Sequence, residues 1–135
     1  MQKIKGILIK SFHFVNLTLI IIYLFPGSIF GYFLYNNTSI QPQITKDFSF
    51  FNFLISSNHF YVFFVLSVIG VLAYYNTNKI KILIKYLFLL SIILELSHIF
   101  IPNRGFEFSD LFGNFMGVVV VVIIYKIKKN NEKNN

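Results

Sequence analysis

The chain has 135 residues, of which 56% are hydrophobic and 13% charged, with 18 Phe, 8 Tyr, no Trp and no Cys. That length suits one domain, the composition excludes an ordinary soluble one, and the lack of Cys excludes disulfides and thiolate metal sites. A net charge of +7 would suit nucleic acid, but the cations stand at the edges of apolar runs, which points to a membrane and to no nucleic-acid partner.

A membrane span needs about 20 apolar residues. The sequence predicts four: from about Ser11 to Tyr35, Ser56 to Tyr75, Ile82 to Ile101, and Phe108 to Tyr125. Pro26 and Gly27 kink the first or end it early. Its basic start and apolar middle are those of a signal peptide, but the run is long and no A-x-A-like site follows, so it is expected to be retained. Between the first two spans lies the longest connection, whose DFSFFNFLISS stretch reads either as an interfacial segment at the headgroups or as the start of a long, tilted second helix near Phe48. Asn36 and Asn37 match the glycosylation pattern, which carries no meaning in a bacterial protein. The last span stops at Lys126, leaving 1–125 as the membrane domain and 126–135 as a polar, disordered cytoplasmic tail.

Lys3, Lys5 and Lys10 precede the first span, Lys79, Lys81 and Lys85 flank the second turn, and Lys126, Lys128, Lys129 and Lys133 follow the fourth. Only Lys46 and Arg104 fall on the other side, so the positive-inside rule places both termini in the cytoplasm. The expected fold is all-α: an integral four-helix membrane bundle, N-in and C-in, with an outer Phe-rich interfacial segment.

Chemistry concentrates in ELSHIFIPNRGFEFSDLFGNFMG, from Glu95 to Gly117. A carboxylate within a span costs roughly 2.5 to 3.5 kcal/mol on insertion scales, so it calls for a partner or a purpose. At about 1.5 Å rise per residue, Glu95 lies roughly 10 Å and His98 roughly 6 Å below the outer boundary, with Asp110 at roughly 3 Å and Asn114 at roughly 9 Å. Glu95 thus matches Asn114 in depth, His98 matches Asp110, and His59 lies in the same layer near the outer end of the second span. Arg104 sits in the outer turn and can fold over the cluster. Gly113 and Gly117 form G-x-x-x-G, a packing device that would press Asn114 against another span.

Each residue has a plainer reading too. Glu95 and Arg104 can be an ion pair that seals the hairpin, and Ser109 or Asp110 can cap the fourth helix. His98, one turn from Glu95, suits a proton relay, a substrate hydrogen bond or a metal ligand. E-x-x-H occurs in di-iron carboxylate sites, but those need two such pairs and two further Glu, so no metal and no cofactor is expected. His13 and Asn16 read as interfacial residues at the cytoplasmic end, and Glu107 as solvated. No P-loop, G-x-G-x-x-G, G-x-S-x-G or H-E-x-x-H occurs.

These residues carry a resemblance. Glu95 three before His98, then P-x-R-x-x-x-x-x-D-x-x-x-N-x-x-G through Pro102, Arg104, Asp110, Asn114 and Gly117, resembles the C-terminal signature of the VanZ-like family. His59-Phe60 is similar to the His-Phe that opens another family helix. The resemblance runs from Asn58 to Gly117. The chain departs from the family where His98 replaces the usual Gln, and where Ile55 and Ser56 replace an Asp-Lys pair. The resemblance implies a small multi-pass protein of the bacterial cytoplasmic membrane, and the family's name-giving members are linked to resistance against the glycopeptide teicoplanin.

The expected function is binding of a lipid or peptidoglycan-related headgroup in an outward-facing pocket. His59, Glu95, His98, Arg104, Asp110 and Asn114 would be the ligand-binding residues: Arg104 holds phosphate or carboxylate, and Asp110 positions Arg104. The partners are membrane lipids or a lipid-linked envelope precursor, with an oligomer left open. The rival is an enzyme using Glu95 and His98 as an acid–base pair on a lipid-linked substrate. A structural or transport subunit remains a further alternative.

Overall fold

The computed structural model describes residues 2–46 and 54–134. Five helices follow in order: α1 (Gln2–Leu24), α2 (Ile29–Tyr35), α3 (Ser57–Tyr74), α4 (Ile80–Ser97) and α5 (Phe108–Asn134). No strand occurs among the described residues. Among the described residues three helices are long and apolar enough to cross a membrane, α1 from Lys3, α3 and α5, which fits a membrane-embedded protein. The fourth long helix, α4, has 18 residues and carries Lys81, Lys85 and Glu95.

The first apolar run is not one span. Proline disfavours helix for the residue before it, and Gly27 takes φ +77°, so α1 ends at Leu24 and the short α2 starts afresh. Ser28 caps α2, its Oγ accepting from the Gly31 N–H at 2.9 Å, and Asn36 ends it in the left-handed region. The bend is packed from both sides. The Gly27 N–H donates to Pro102 O at 3.1 Å, and a Cβ on Gly27 would lie 2.5 Å from Thr38 O.

α3 is apolar on all sides and sits centrally, touching α1, α4 and α5. Its most extensive partner is α5, which approaches it through the G-x-x-x-G face. A Cβ on Gly113 would meet Ser56 O at 2.6 Å, and one on Gly117 would meet Phe60 O at 2.5 Å, so both glycines let the two backbones touch. Phe63, Leu66, Leu87 and Val118 fill the centre, while Phe14 and Phe33 on the outside are 73% and 78% exposed. So much outward aromatic surface suits a hydrocarbon surround better than water.

Other boundaries also differ from expectation. α4 stops at Ser97 rather than running to Ile101, with His98 as its C-cap. α5 continues through the polar stretch 126–134, which is helical rather than disordered. The Phe-rich segment 47–53 lies outside the described residues, but the non-helical 54–56 rules out one helix running from Phe48 into α3.

The lysine-bearing segments gather at one end. Lys5 Nζ donates to Tyr75 O at 3.4 Å, Lys129 Nζ donates to Asn76 Oδ1, and Tyr75 donates its hydroxyl proton to Glu132. Those contacts join the start of α1, the turn after α3 and the end of α5. Slightly deeper, His13 meets the Tyr74 hydroxyl at 3.1 Å and Asn16 accepts from Tyr86 at 2.9 Å. Arg104 and the 43–45 loop lie at the opposite end.

Candidate functional site

At that opposite end the last turn of α1 has carbonyls that no further helical turn can satisfy. Two predicted site residues supply donors. Arg104 Nη2 donates to Ile22 O at 3.0 Å, and His98 Nε2 lies 3.2 Å from Tyr23 O. Ending α1 at Leu24 also brings Tyr23 level with the polar layer, where its ring stacks on His98 with centroids 5.5 Å apart.

Behind the surface is a closed polar network. Glu95 and Asn114 have no exposed surface, and His98 is 2% exposed. Glu95 Oε1 faces His98 Nδ1 at 3.2 Å and accepts from the Glu107 N–H at 3.3 Å. Its other oxygen, Oε2, is 3.5 Å from Asn114 Nδ2 and 3.7 Å from His59 Nδ1. His98 therefore stands between a backbone carbonyl and a carboxylate. Tyr23 donates to Asn114 Oδ1 at 2.7 Å, and its oxygen is 3.0 Å from His59 Nδ1. On the far side of the His59 ring, Nε2 is 3.3 Å from Asp110 Oδ2.

In front of this network is an open cavity of about 430 Å³. His59, Arg104 and Asp110 line it, while Glu95, His98 and Asn114 form the layer behind its wall. The loop before α3 closes one side, pinned by Asn58 Oδ1, which accepts from the Thr45 N–H at 2.9 Å and the Ile44 N–H at 3.1 Å.

Two expected pairings do not form. Asp110 addresses His59 rather than Arg104, and Glu95 addresses the two histidines. Arg104 makes no ion pair among the described residues, and its Nε is buried without a hydrogen-bond partner there. Burial holds the Arg104 guanidinium below its ordinary pKa, with nearby acidic groups opposing that shift.

Comparison with protein-family models, curated proteins and solved structures finds no match to this chain. What the site can do therefore rests on its own geometry. It presents to a roomy cavity an Asp–His pair and a guanidinium that has no ion pair among the described residues. One ring nitrogen of His59 and one oxygen each of Glu95 and Asp110 also lie within 4.8 Å of one another, an arrangement able to hold a metal ion. Sequence reasoning missed Tyr23, whose hydroxyl links α1 to α3 and α5. The signal was the Pro26-Gly27 break three residues on.

Proposed function

We propose that this chain is a VanZ-like multi-pass protein of the bacterial cytoplasmic membrane that binds a lipid or peptidoglycan-related headgroup in the cavity beside Arg104. The observation that carries the reading is a half-buried guanidinium, free of any carboxylate partner among the described residues, on the wall of a cavity also lined by Ile22, Phe30 and Val62. Such a wall suits an amphiphile, with Arg104 holding phosphate or carboxylate and the apolar side following the chain. Asp110 faces His59, so the Ile22 carbonyl takes over the positioning of Arg104.

In this reading α4 is also a span, the third of four in chain order. Glu95 points into the bundle, and Lys81 and Lys85 lie within its first two turns, within reach of the headgroups. The lysine-bearing end is cytoplasmic and the cavity opens outward. A role in envelope maintenance or teicoplanin-type resistance belongs to this proposal. The enzymatic alternative draws support from the His59–Asp110 pair on the cavity wall, with Glu95 and His98 one layer behind.

Native mass spectrometry of wild type beside Arg104→Ala and Arg104→Lys tests the headgroup reading. Wild type is expected to retain a defined lipid, and the alanine variant to lose it at least about tenfold, an Arg–phosphate bond being charge-assisted and often bidentate. Equal retention in all three, or none in a folded wild type, overturns it.

A further inference from the structure

The His59 ring poses a problem in proton accounting. The Tyr23 hydroxyl proton goes to Asn114 Oδ1, the shorter of its two contacts at 2.7 Å. Asn114 directs its amide nitrogen at Glu95, so its oxygen can only accept. His59 Nδ1, 3.2 Å from that oxygen, is then the donor. In a neutral ring this leaves the Nε2 lone pair aimed at the Asp110 carboxylate, 3.3 Å away. Two acceptors face each other, and Arg104 is not paired with either carboxylate.

We infer that His59, Glu95 and Asp110 form a binding site for a divalent transition-metal ion, with the open coordination position facing the cavity. One nitrogen and two carboxylate donors suit Zn²⁺ better than Mg²⁺ or Ca²⁺, which take oxygen. Ligands at about 2.0–2.2 Å from one tetrahedral ion stand roughly 3.3–3.5 Å apart. The His59 Nε2–Asp110 Oδ2 separation already matches, and one His59 ring nitrogen and one oxygen each of Glu95 and Asp110 lie within 4.8 Å of one another, so a turn of the Glu95 carboxylate completes the set.

The surroundings are those that metal ligands need. The Nδ1–H of His59 is held by Asn114, which fixes the tautomer that frees Nε2. Glu95 Oε1 is held by His98 and the Glu107 N–H, while Oε2 rests 3.7 Å from His59 Nδ1 and 3.5 Å from Asn114 Nδ2, so it reaches an ion at Nε2 by swinging away from Asn114. The three donors come from α3, α4 and α5, so the ion would tie three helices together. His59 and Asp110 line the cavity and give the ion a way in. A single E-x-x-H pair looked insufficient for a metal because sequence spacing shows only donors on one helix.

Metal binding stands without the headgroup reading. Where that reading also holds, the bound cation and Arg104 would both face a phosphate, and an acidic wall becomes an anion site.

The test uses the full chain in detergent, stripped with chelator and titrated with Zn²⁺ and then Co²⁺, whose visible absorption reports coordination. Expected are one equivalent per chain and a four- or five-coordinate Co²⁺ spectrum. Asp110→Asn and His59→Gln weaken binding more than about tenfold, the scale of losing even a supporting partner of a metal ligand. Asp110→His, which restores a donor, recovers the Co²⁺ spectrum and guards against simple misfolding. A folded wild type that binds neither ion stoichiometrically overturns the proposal. Undiminished binding in Asp110→Asn and His59→Gln overturns it as well. Lipid retention is read separately on Arg104→Ala, so either proposal can fail while the other stands.

Discussion

At the lysine-bearing end Tyr75, Lys129 and Glu132 meet at the surface, where water completes any bond they leave open. At the opposite end Glu95 and Asn114 meet with no exposed surface, so each open donor or acceptor must find a partner in the protein. Side chains join helices at both ends, three at the lysine-bearing end and four at the buried one. The lysine end does so with flexible charges that can be replaced one at a time, and the buried end with a network in which removing one member strands the others.

The largest break in that contrast is expected from Glu95→Ala. It leaves His98 Nδ1, the Glu107 N–H and Asn114 Nδ2 without their acceptor, a loss of about 3–5 kcal/mol on the scale of breaking a buried pair. Unfolding in detergent measures it, and Glu95→Gln, which keeps an accepting oxygen, should recover part. A loss below about 1 kcal/mol would show that water reaches the layer.

Tyr23→Phe is a smaller and sharper cut. It keeps the ring stacked on His98 but removes the hydroxyl shared by His59 and Asn114, an expected cost of about 1–3 kcal/mol. Unchanged unfolding would demote the α1 link to ring packing alone.

The smallest effect belongs to the other end. Glu132→Ala should leave unfolding unchanged at neutral pH, yet move one phenol titration. Acceptance of its proton by Glu132, then desolvation, pushes the Tyr75 phenol up to about 12. A raised pKa favours the protonated form in the fold, so the bond persists through neutral pH and is lost only as pH rises through about 12. Phenolate absorbance, compared among wild type, Glu132→Ala and Tyr75→Phe, should show that group fall towards the ordinary value near 10. No shift would mean that the Tyr75–Glu132 bond is not held in solution.

Counting residues by depth was enough to bring Glu95 to Asn114 and to put His59 in their layer, because antiparallel helices in one slab share a common ruler. The glycine spacing likewise marked the face of α5 that a neighbouring helix approaches, and the neighbour is α3. Charge attraction was the poorer guide. It paired Arg104 with Glu95 or Asp110, whereas the stopped helix α1 offered Arg104 a carbonyl and the histidines took the carboxylates. Tyr23 was hidden because a tyrosine in an apolar run looks like any aromatic facing lipid, whether or not a break follows it. Only the end of α1 at Leu24 makes it a site residue. The helical 126–134 stretch was hidden for a related reason. Its polar composition reads as a tail, while the ring of Tyr75, under Lys128 and Lys129, gives it something to rest on.

The bond between Gly27 and Pro102, and the one between Tyr23 and Asn114, also set an order of events during synthesis. Asn114 leaves the ribosome 91 residues after Tyr23, roughly 5 to 20 s later at ordinary elongation rates. Throughout that interval the first helix waits with its terminal carbonyls uncovered and its hydroxyl unmatched. The polar network thus closes only once the fifth helix is made, and a nascent chain cut short before it would contain most of the cavity wall but neither Asp110 nor Asn114.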